Sequence, residues 1–283
     1  MGHSNSWRVN SRCINCMASR SMAPDLMIEE GNQSVFVRQP GTPEEEIAAW
    51  LALEVCPTAA VEAPVGLARP HDLFPQDLGG GVYRLGHNAK ASYGAFAYFG
   101  VLDNLKFMVD GPRWSAHIAA WIEARGGLDH ILLTHRDDVG DAARYATRFG
   151  AKVWIHEEDL DSAPFATGIF RGHDLRGPSP RIKVIAVPGH TRGSVMYLLD
   201  DHTLFSGDSL AWDARHQALR GYRRYCWFDW PTQIASLTKL RSERFTRLLA
   251  GHGGSVELPP GQMIAKLEAM LAQEHENPSG AHQ

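Results

Sequence analysis

No stretch of this chain is apolar over the roughly 18–20 residues that a membrane-spanning helix requires. The first residues also lack the apolar centre of a secretory signal, so a cytoplasmic location is the expectation. Charge is balanced: 28 lysines and arginines against 32 acids leave a formal charge of -4, which gives no electrostatic case for nucleic acid or an anionic membrane as partner. Cysteine is scarce, four in 283 residues, too few for a disulfide scaffold in a chain of this size. What remains is a globular protein. Its length allows one large core and a small accessory segment, since domains commonly run to about 100–200 residues.

Three of the four cysteines are grouped. Cys13-Ile14-Asn15-Cys16 is a C-x-x-C, and Cys56-Pro57 follows 40 residues later. A C-x-x-C-x-x-C run completed by a distant Cys-Pro brings four thiolates onto a cubane cluster. Here Ser19 stands at the third position of the run. The segment resembles a single-cluster ferredoxin module, and the resemblance makes Cys13, Cys16 and Cys56 candidate cofactor ligands. Serine is a poor ligand for soft metals, so Ser19 argues against an intact iron–sulfur cluster. A cluster-free segment, a three-iron cluster or one with a non-cysteine fourth ligand, and a zinc knuckle are the open readings. Cys226, among Tyr225, Trp227 and Phe228, reads as an inert packed thiol. Thr42-Pro43-Glu44-Glu45-Glu46 has the pattern of a helix start: a Thr cap, Pro in the first turn and acids at the positive end of the dipole.

A Pro- and Gly-rich stretch from Ala63 to Gly81 reads as a linker, giving an accessory segment over 1–62, a linker over 63–81 and a main domain over 82–283. Within the main domain, short apolar strand-like runs alternate with helix-spaced segments. The spacing of Val139, Ala142, Ala146 and Phe149 predicts a helix from Asp138 to Phe149, stopped by Gly150. Alternation of this kind suits helices packed outside two facing sheets, and such helices leave surfaces on which a homodimer could form.

Four apolar runs end in a residue suited to binding metal. Ile131-Leu132-Leu133-Thr134 runs into His135, and Val187-Pro188-Gly189 into His190, followed by Thr191-Arg192-Gly193-Ser194. Phe205-Ser206-Gly207 leads to Asp208, and Ala250-Gly251 to His252-Gly253. Together these motifs, over about residues 80 to 255, resemble those of the metallo-β-lactamase-fold hydrolases. The resemblance implies an α/β fold, a four-layer αββα sandwich, here preceded by a small ferredoxin-like α+β segment. It also implies a metal held by His135, Asp137, His190, Asp208 and His252. The family's H-x-H-x-D-H loop is degenerate in this chain, which reads His135-Arg136-Asp137-Asp138-Val139-Gly140-Asp141-Ala142. If spacing is kept, Asp137 replaces the second histidine; if the loop is remodelled, Asp138 or Asp141 supplies the carboxylate. Ferredoxin-fused relatives carry H-R-D-D-V-x-D-H here, a reading that selects Asp141.

This donor set supports one divalent metal, zinc or, with its carboxylates, iron or manganese; it does not make a second metal secure. The activity that the resemblance implies is hydrolysis of a small-molecule substrate, an ester, thioester, lactone or phosphoester, by a metal-bound hydroxide. In that scheme Asp138 and Asp141 are candidate catalytic residues that orient the water. Two alternatives stand beside the enzyme: a non-catalytic binding protein with a decayed site, and an iron redox protein. His87 reads as a structural histidine and Tyr93 as a packed aromatic. Arg220, Arg223 and Arg224 read as a solvated basic surface, and Trp212, Trp227 and Trp230 as pocket wall or core.

Overall fold

The computed structural model describes residues 5–172 and 175–276. The chain divides into two units, one holding everything up to Leu133 together with Asp137–Val153, the other holding Thr134–Arg136 and everything from Trp154.

The first unit opens with the cysteine-bearing segment: β1 (Arg8–Val9), α1 (Ala18–Met22), β2 (Met27–Glu30), β3 (Gln33–Phe36), α2 (Pro43–Glu54) and β4 (Val61–Glu62). β2 and β3 form a hairpin, and β1 pairs with β4 so that the ends of the segment meet. α2 starts where the sequence places it. Thr42 Oγ1 accepts from the Glu45 backbone N–H at 3.3 Å, and the Glu45 carboxylate returns to the Gly41 N–H at 2.7 Å, two donors that an uncapped helix would leave unpaired. Its buried face packs Ala49, Trp50 and Ala52 against Trp7, Leu26 and Met27, with Trp7 and Trp50 edge to face at 5.0 Å. The segment therefore has an apolar core of its own, each large side chain in it contributing about 1.5–3 kcal/mol.

The unit continues with β5 (Gln76–Asp77), β6 (Val82–Arg84), β7 (Tyr98–Leu102), β8 (Leu105–Val109), α3 (Ala116–Glu123), β9 (His130–Leu132) and α4 (Ala142–Phe149). β5 to β8 form an antiparallel meander, and the connection through α3 returns β9 parallel to β8. α4 is shorter than its apolar spacing predicts. The Asp138 carbonyl accepts from Gly111 N and the Asp141 N–H donates to the Pro112 carbonyl, so 138–141 are fastened to the loop after β8 and helical bonding begins only at Ala142.

His87 shows what burial does in this unit. Its imidazole is pushed down to about 4, first by burial and then by the positive charges of Arg113, His117 and Arg69. The folded state thus resists a proton that the unfolded chain accepts near 6.5. Stability should fall as pH drops from about 6.5 to about 4 and level off below, where both states are protonated. Urea titrations across this range should show a shallower fall in His87→Gln than in the parent; equal slopes would remove His87 from the acid response.

β10 (Lys152–His156) carries the chain into the second unit, where it pairs in parallel with β11 (Gly168–Phe170). Then follow β12 (Ile182–Ala186), β13 (Val195–Leu199), β14 (Thr203–Gly207), β15 (Ala211–Asp213), β16 (Ala218–Arg220), α5 (Trp230–Leu237), β17 (Arg247–Ala250), β18 (Val256–Glu257) and α6 (Pro260–Glu276). The main sheet of this unit runs β12-β13-β14-β17-β18, parallel only between β14 and β17. Every residue of β13 and β14 is buried, which explains why β13, Val195 to Leu199, is a continuous apolar run without alternation. Leu198, Leu204 and Leu248 pack with Leu237, Leu240, Leu267 and Leu271 from the helical segments into one core. Asp229 caps α5 by accepting the Thr232 N–H at 2.8 Å. No helix among the described residues is long and apolar enough to cross a membrane.

Candidate metal centre

His135, His190, Asp208 and His252 all lie just beyond strand ends, three of those strands in sheets of apolar runs whose bonding fixes where each loop begins. β9 stops at Leu132, and Thr134 is held by its carbonyl, which accepts from Val195 N at 2.8 Å. Gly207, the last residue of β14, has φ +51, and a Cβ there would lie 2.7 Å from Thr134 Oγ1. Only glycine allows the residue before Asp208 to back onto the residue before His135. Thr134 Oγ1 in turn pairs with His135 Nδ1 at 2.9 Å, which fixes the ring and leaves Nε2 pointing to Asp208.

The three histidines converge on the Asp208 carboxylate. His135 Nε2 and His190 Nε2 stand 3.6 and 3.7 Å from Asp208 Oδ2, and His252 Nδ1 lies 2.8 Å from both carboxylate oxygens. The His135 and His190 rings meet edge to face at 4.6 Å. Both imidazoles are buried. Burial would raise the Asp208 carboxyl, but the charge of His252, then hydrogen bonding to His135 and His252, hold it well below the usual carboxylate range. The carboxylate is therefore ionised and surrounded by nitrogen donors.

One donor atom each from His135, His190 and Asp208 lies within 4.8 Å of the others. Ligands at about 2.0–2.2 Å around a tetrahedral zinc stand about 3.4 Å from one another, close to the spacings observed. Two imidazole nitrogens and a carboxylate oxygen are a borderline donor set suited to zinc, iron or manganese, so these residues fit a divalent cation.

A residue the motif reading passed over organises both histidine loops. Asp159 is buried in the 3-10 turn Glu157–Ser162 that follows β10. Its Oδ2 accepts from Thr191 Oγ1 at 2.5 Å and from Arg136 N at 3.1 Å, and its Oδ1 accepts from Gly193 N at 3.3 Å. Gly193 passes so close that a Cβ would lie 2.7 Å from Asp159 Cγ. An acid in the run Glu157-Glu158-Asp159 carries no sequence signal separating it from its exposed neighbours; only its burial does.

Asp137, Asp138 and Asp141 belong to the first unit. Asp138 is fully buried and Asp137 half-buried. The Asp141 carboxylate accepts from Trp114 N at 2.6 Å, tying the start of α4 to the loop before α3. Tyr93 uses its hydroxyl to bond the Ile14 carbonyl. Arg220 is paired with Asp213 at 2.7 Å. Trp212 and Trp230 are core residues, whereas Trp227 is 66% exposed.

In the N-terminal segment, Cys13 accepts N–H bonds from Asn15 and Ser34 at 3.4 Å, and Cys56 accepts one from Ala60 at 3.1 Å. The Cys16 thiol is pushed up to about 11, mainly by burial, with Cys56 and Cys13 adding to the shift. Ser19 is buried and donates its hydroxyl to the Ala52 carbonyl at 2.8 Å. The position where a fourth thiolate belongs is thus spent on a backbone bond. These residues do not fit a four-thiolate cluster.

Residues 9–63 match the 4Fe-4S single cluster domain of ferredoxin I. A hydroxyacylglutathione hydrolase of Acidiphilium cryptum is 37% identical over 106 residues, covering 36% of this chain and 43% of that protein. One from a Bradyrhizobium species is 30% identical over 151 residues, covering 51% and 56%. The chain thus spans less than half the length of the first of these relatives and little more than half of the second. Among solved structures, an archaeal metallo-β-lactamase superfamily protein from Sulfolobus tokodaii matches with a TM-score of 0.51 at 18% identity, over 69% of this chain and 86% of that one. The DIM-1 metallo-β-lactamase matches with 0.54 at 16%, over 70% and 95%. At such low identity these likenesses establish the fold, which is the αββα class expected from the motifs. The chain thus has the metallo-β-lactamase fold, preceded by a segment similar to a single-cluster ferredoxin domain in which Ser19 takes the third cysteine position.

Proposed function

We propose that the protein is a metal-dependent hydrolase of a carboxylic ester or thioester, with lactones and phosphoesters as the neighbouring substrate classes. The observation that carries this reading is the convergence of His135 Nε2 and His190 Nε2 on the Asp208 carboxylate at 3.6–3.7 Å, with His252 on the same group. The relatives named hydroxyacylglutathione hydrolases favour the thioester, and their partial coverage keeps that preference a proposal.

A divalent cation bound here supplies Lewis acidity and lowers the pKa of a bound water toward neutrality. The chain's own residues set the geometry. Thr134 Oγ1 holds Nδ1 of His135 and so fixes the face that Nε2 presents, the arrangement by which an outer hydrogen bond selects the tautomer of a ligating imidazole. Asp208, kept ionised by His252 and His135, supplies the negative charge that retains a cation. His252 Nδ1 shares a proton with that carboxylate when no cation competes for it. In our reading His135, His190 and Asp208 are the ligands, with His252, held against the Asp208 carboxylate, as the fourth donor.

Elemental analysis of protein purified without chelator, followed by ester, thioester, lactone and phosphoester substrates before and after chelation, tests the proposal. About one equivalent of metal, with turnover lost on chelation and regained on adding zinc or manganese, is the expected result. No metal after reconstitution and no turnover would overturn it in favour of a binding protein. Iron with visible absorption and no hydrolysis would overturn it in favour of redox chemistry.

A further inference from the structure

We propose that Trp227, Phe228 and Arg192 form a binding rim beside the metal centre that takes a flat apolar group carrying a negative charge, such as an aromatic carboxylate. The inference rests on the hydrolase reading and names its substrate class. It begins from an oddity of burial: Trp227 is 66% and Phe228 42% exposed, while Trp212 and Trp230 of the same unit are core residues. Leaving an indole in water forfeits the stabilisation its burial would contribute.

The exposed pair is fastened to a proposed ligand. The backbone N–H groups of Trp227 and Phe228 both donate to the His190 carbonyl, at 2.9 and 3.1 Å, and Asp229 N donates to the Gly189 carbonyl at 3.0 Å. The Cys226 thiol donates to the same Gly189 carbonyl at 3.0 Å. Residues 226–229 therefore move with the His190 loop, and the Trp227 ring stands 6.4 Å from the His190 imidazole. A Trp face so placed is within reach of a substrate group attached to a bond broken at the metal.

Charge gives the second half of the chemistry. The Arg192 guanidinium lies over the Phe228 ring at 4.8 Å, a cation–π contact that holds the charge at the rim without neutralising it. Arg223 and Arg224 precede the aromatic pair, Arg224 lying over the Tyr225 ring at 5.8 Å. The nearest acid in sequence, Asp229, is occupied in capping α5. Indole face and guanidinium together fit a flat group that bears an anion, stacking on the one and pairing with the other.

The test uses the full chain and two probes of one shape, 2-naphthoate and neutral 2-naphthylmethanol, with calorimetry as readout. Naphthoate is expected to bind the parent more tightly than the alcohol. Trp227→Ala should weaken naphthoate roughly tenfold, the size of a lost stacking contact, and Trp227→Phe should keep most of it. Arg192→Gln should erase the preference for the anion. Circular dichroism and metal content of each variant establish that the fold and the centre survive. Equal naphthoate binding in parent and Trp227→Ala would overturn the rim, as would a concentration-dependent dimer abolished by Trp227→Ala with no naphthoate binding in the parent. Failure of the hydrolase reading looks different: no substrate is turned over, yet naphthoate binds the parent and is weakened in Trp227→Ala.

Discussion

Asp208→Ala is expected to abolish metal retention while leaving the fold in place. Structural zinc binding to four ligands is worth about 10–16 kcal/mol in total, so one ligand accounts for roughly 3 kcal/mol and its loss for a hundredfold or more in affinity. Asp208 should exceed that share because it is the anion on which His135, His190 and His252 converge. Removing it leaves imidazoles facing one another with no negative charge to draw a cation in. His190→Ala should follow the same course with a smaller loss, since Asp208 would keep His135 and His252. Dialysis against metal-free buffer followed by elemental analysis gives the readout, with circular dichroism to confirm the fold. Undiminished metal in both variants would place the ion elsewhere in the chain.

The fold was legible where one physical cause dominated. β13 reads as a continuous apolar run because both of its faces are buried, and α2 announced itself through Thr42, Pro43 and three acids. The start of α4 misled because apolar spacing at Val139 and Ala142 is blind to the loop after β8, whose Gly111 and Pro112 claim the backbone of Asp138 and Asp141. The loops of His190, Asp208 and His252 stood out because a glycine precedes each residue, and at Gly189 and Gly207 the backbone takes a positive φ that favours glycine. Trp227 was not, since indoles in core and on surface look alike in sequence. Ser19 was visible as a missing thiol, but its bond to Ala52 depends on α1 lying against α2, which no local pattern encodes.

Asp159 offers the sharpest separation between a residue that supports the fold and one that supports the centre. Its carboxylate accepts from Thr191, Arg136 and Gly193, and these lie on the two loops that carry His135 and His190. Asp159→Ala leaves three donors without this acceptor, two of them in buried bonds, each lost buried partner costing about 1–3 kcal/mol before relaxation. A net destabilisation of about 2–4 kcal/mol follows. Metal affinity should fall a further 10–100-fold, the range for groups that orient ligands without touching the ion. Asp159→Asn separates the two effects. It keeps the shape and one acceptor oxygen, but turns an amide toward either the Thr191 hydroxyl or the Gly193 N–H. Most of the stability should return while the affinity stays low. Thr191→Ser, which keeps the hydroxyl, should bind metal as the parent does, and Thr191→Val should not. The cobalt-substituted protein gives a readout that stability alone does not move: at saturating metal the d–d bands of Asp159→Asn should shift as His135 and His190 relax. Unchanged bands and affinity in a destabilised Asp159→Asn would confine Asp159 to the fold, and the two histidine loops would then owe their alignment to their other contacts, among them Thr134 against Gly207 and the 227–229 N–H bonds to the His190 loop.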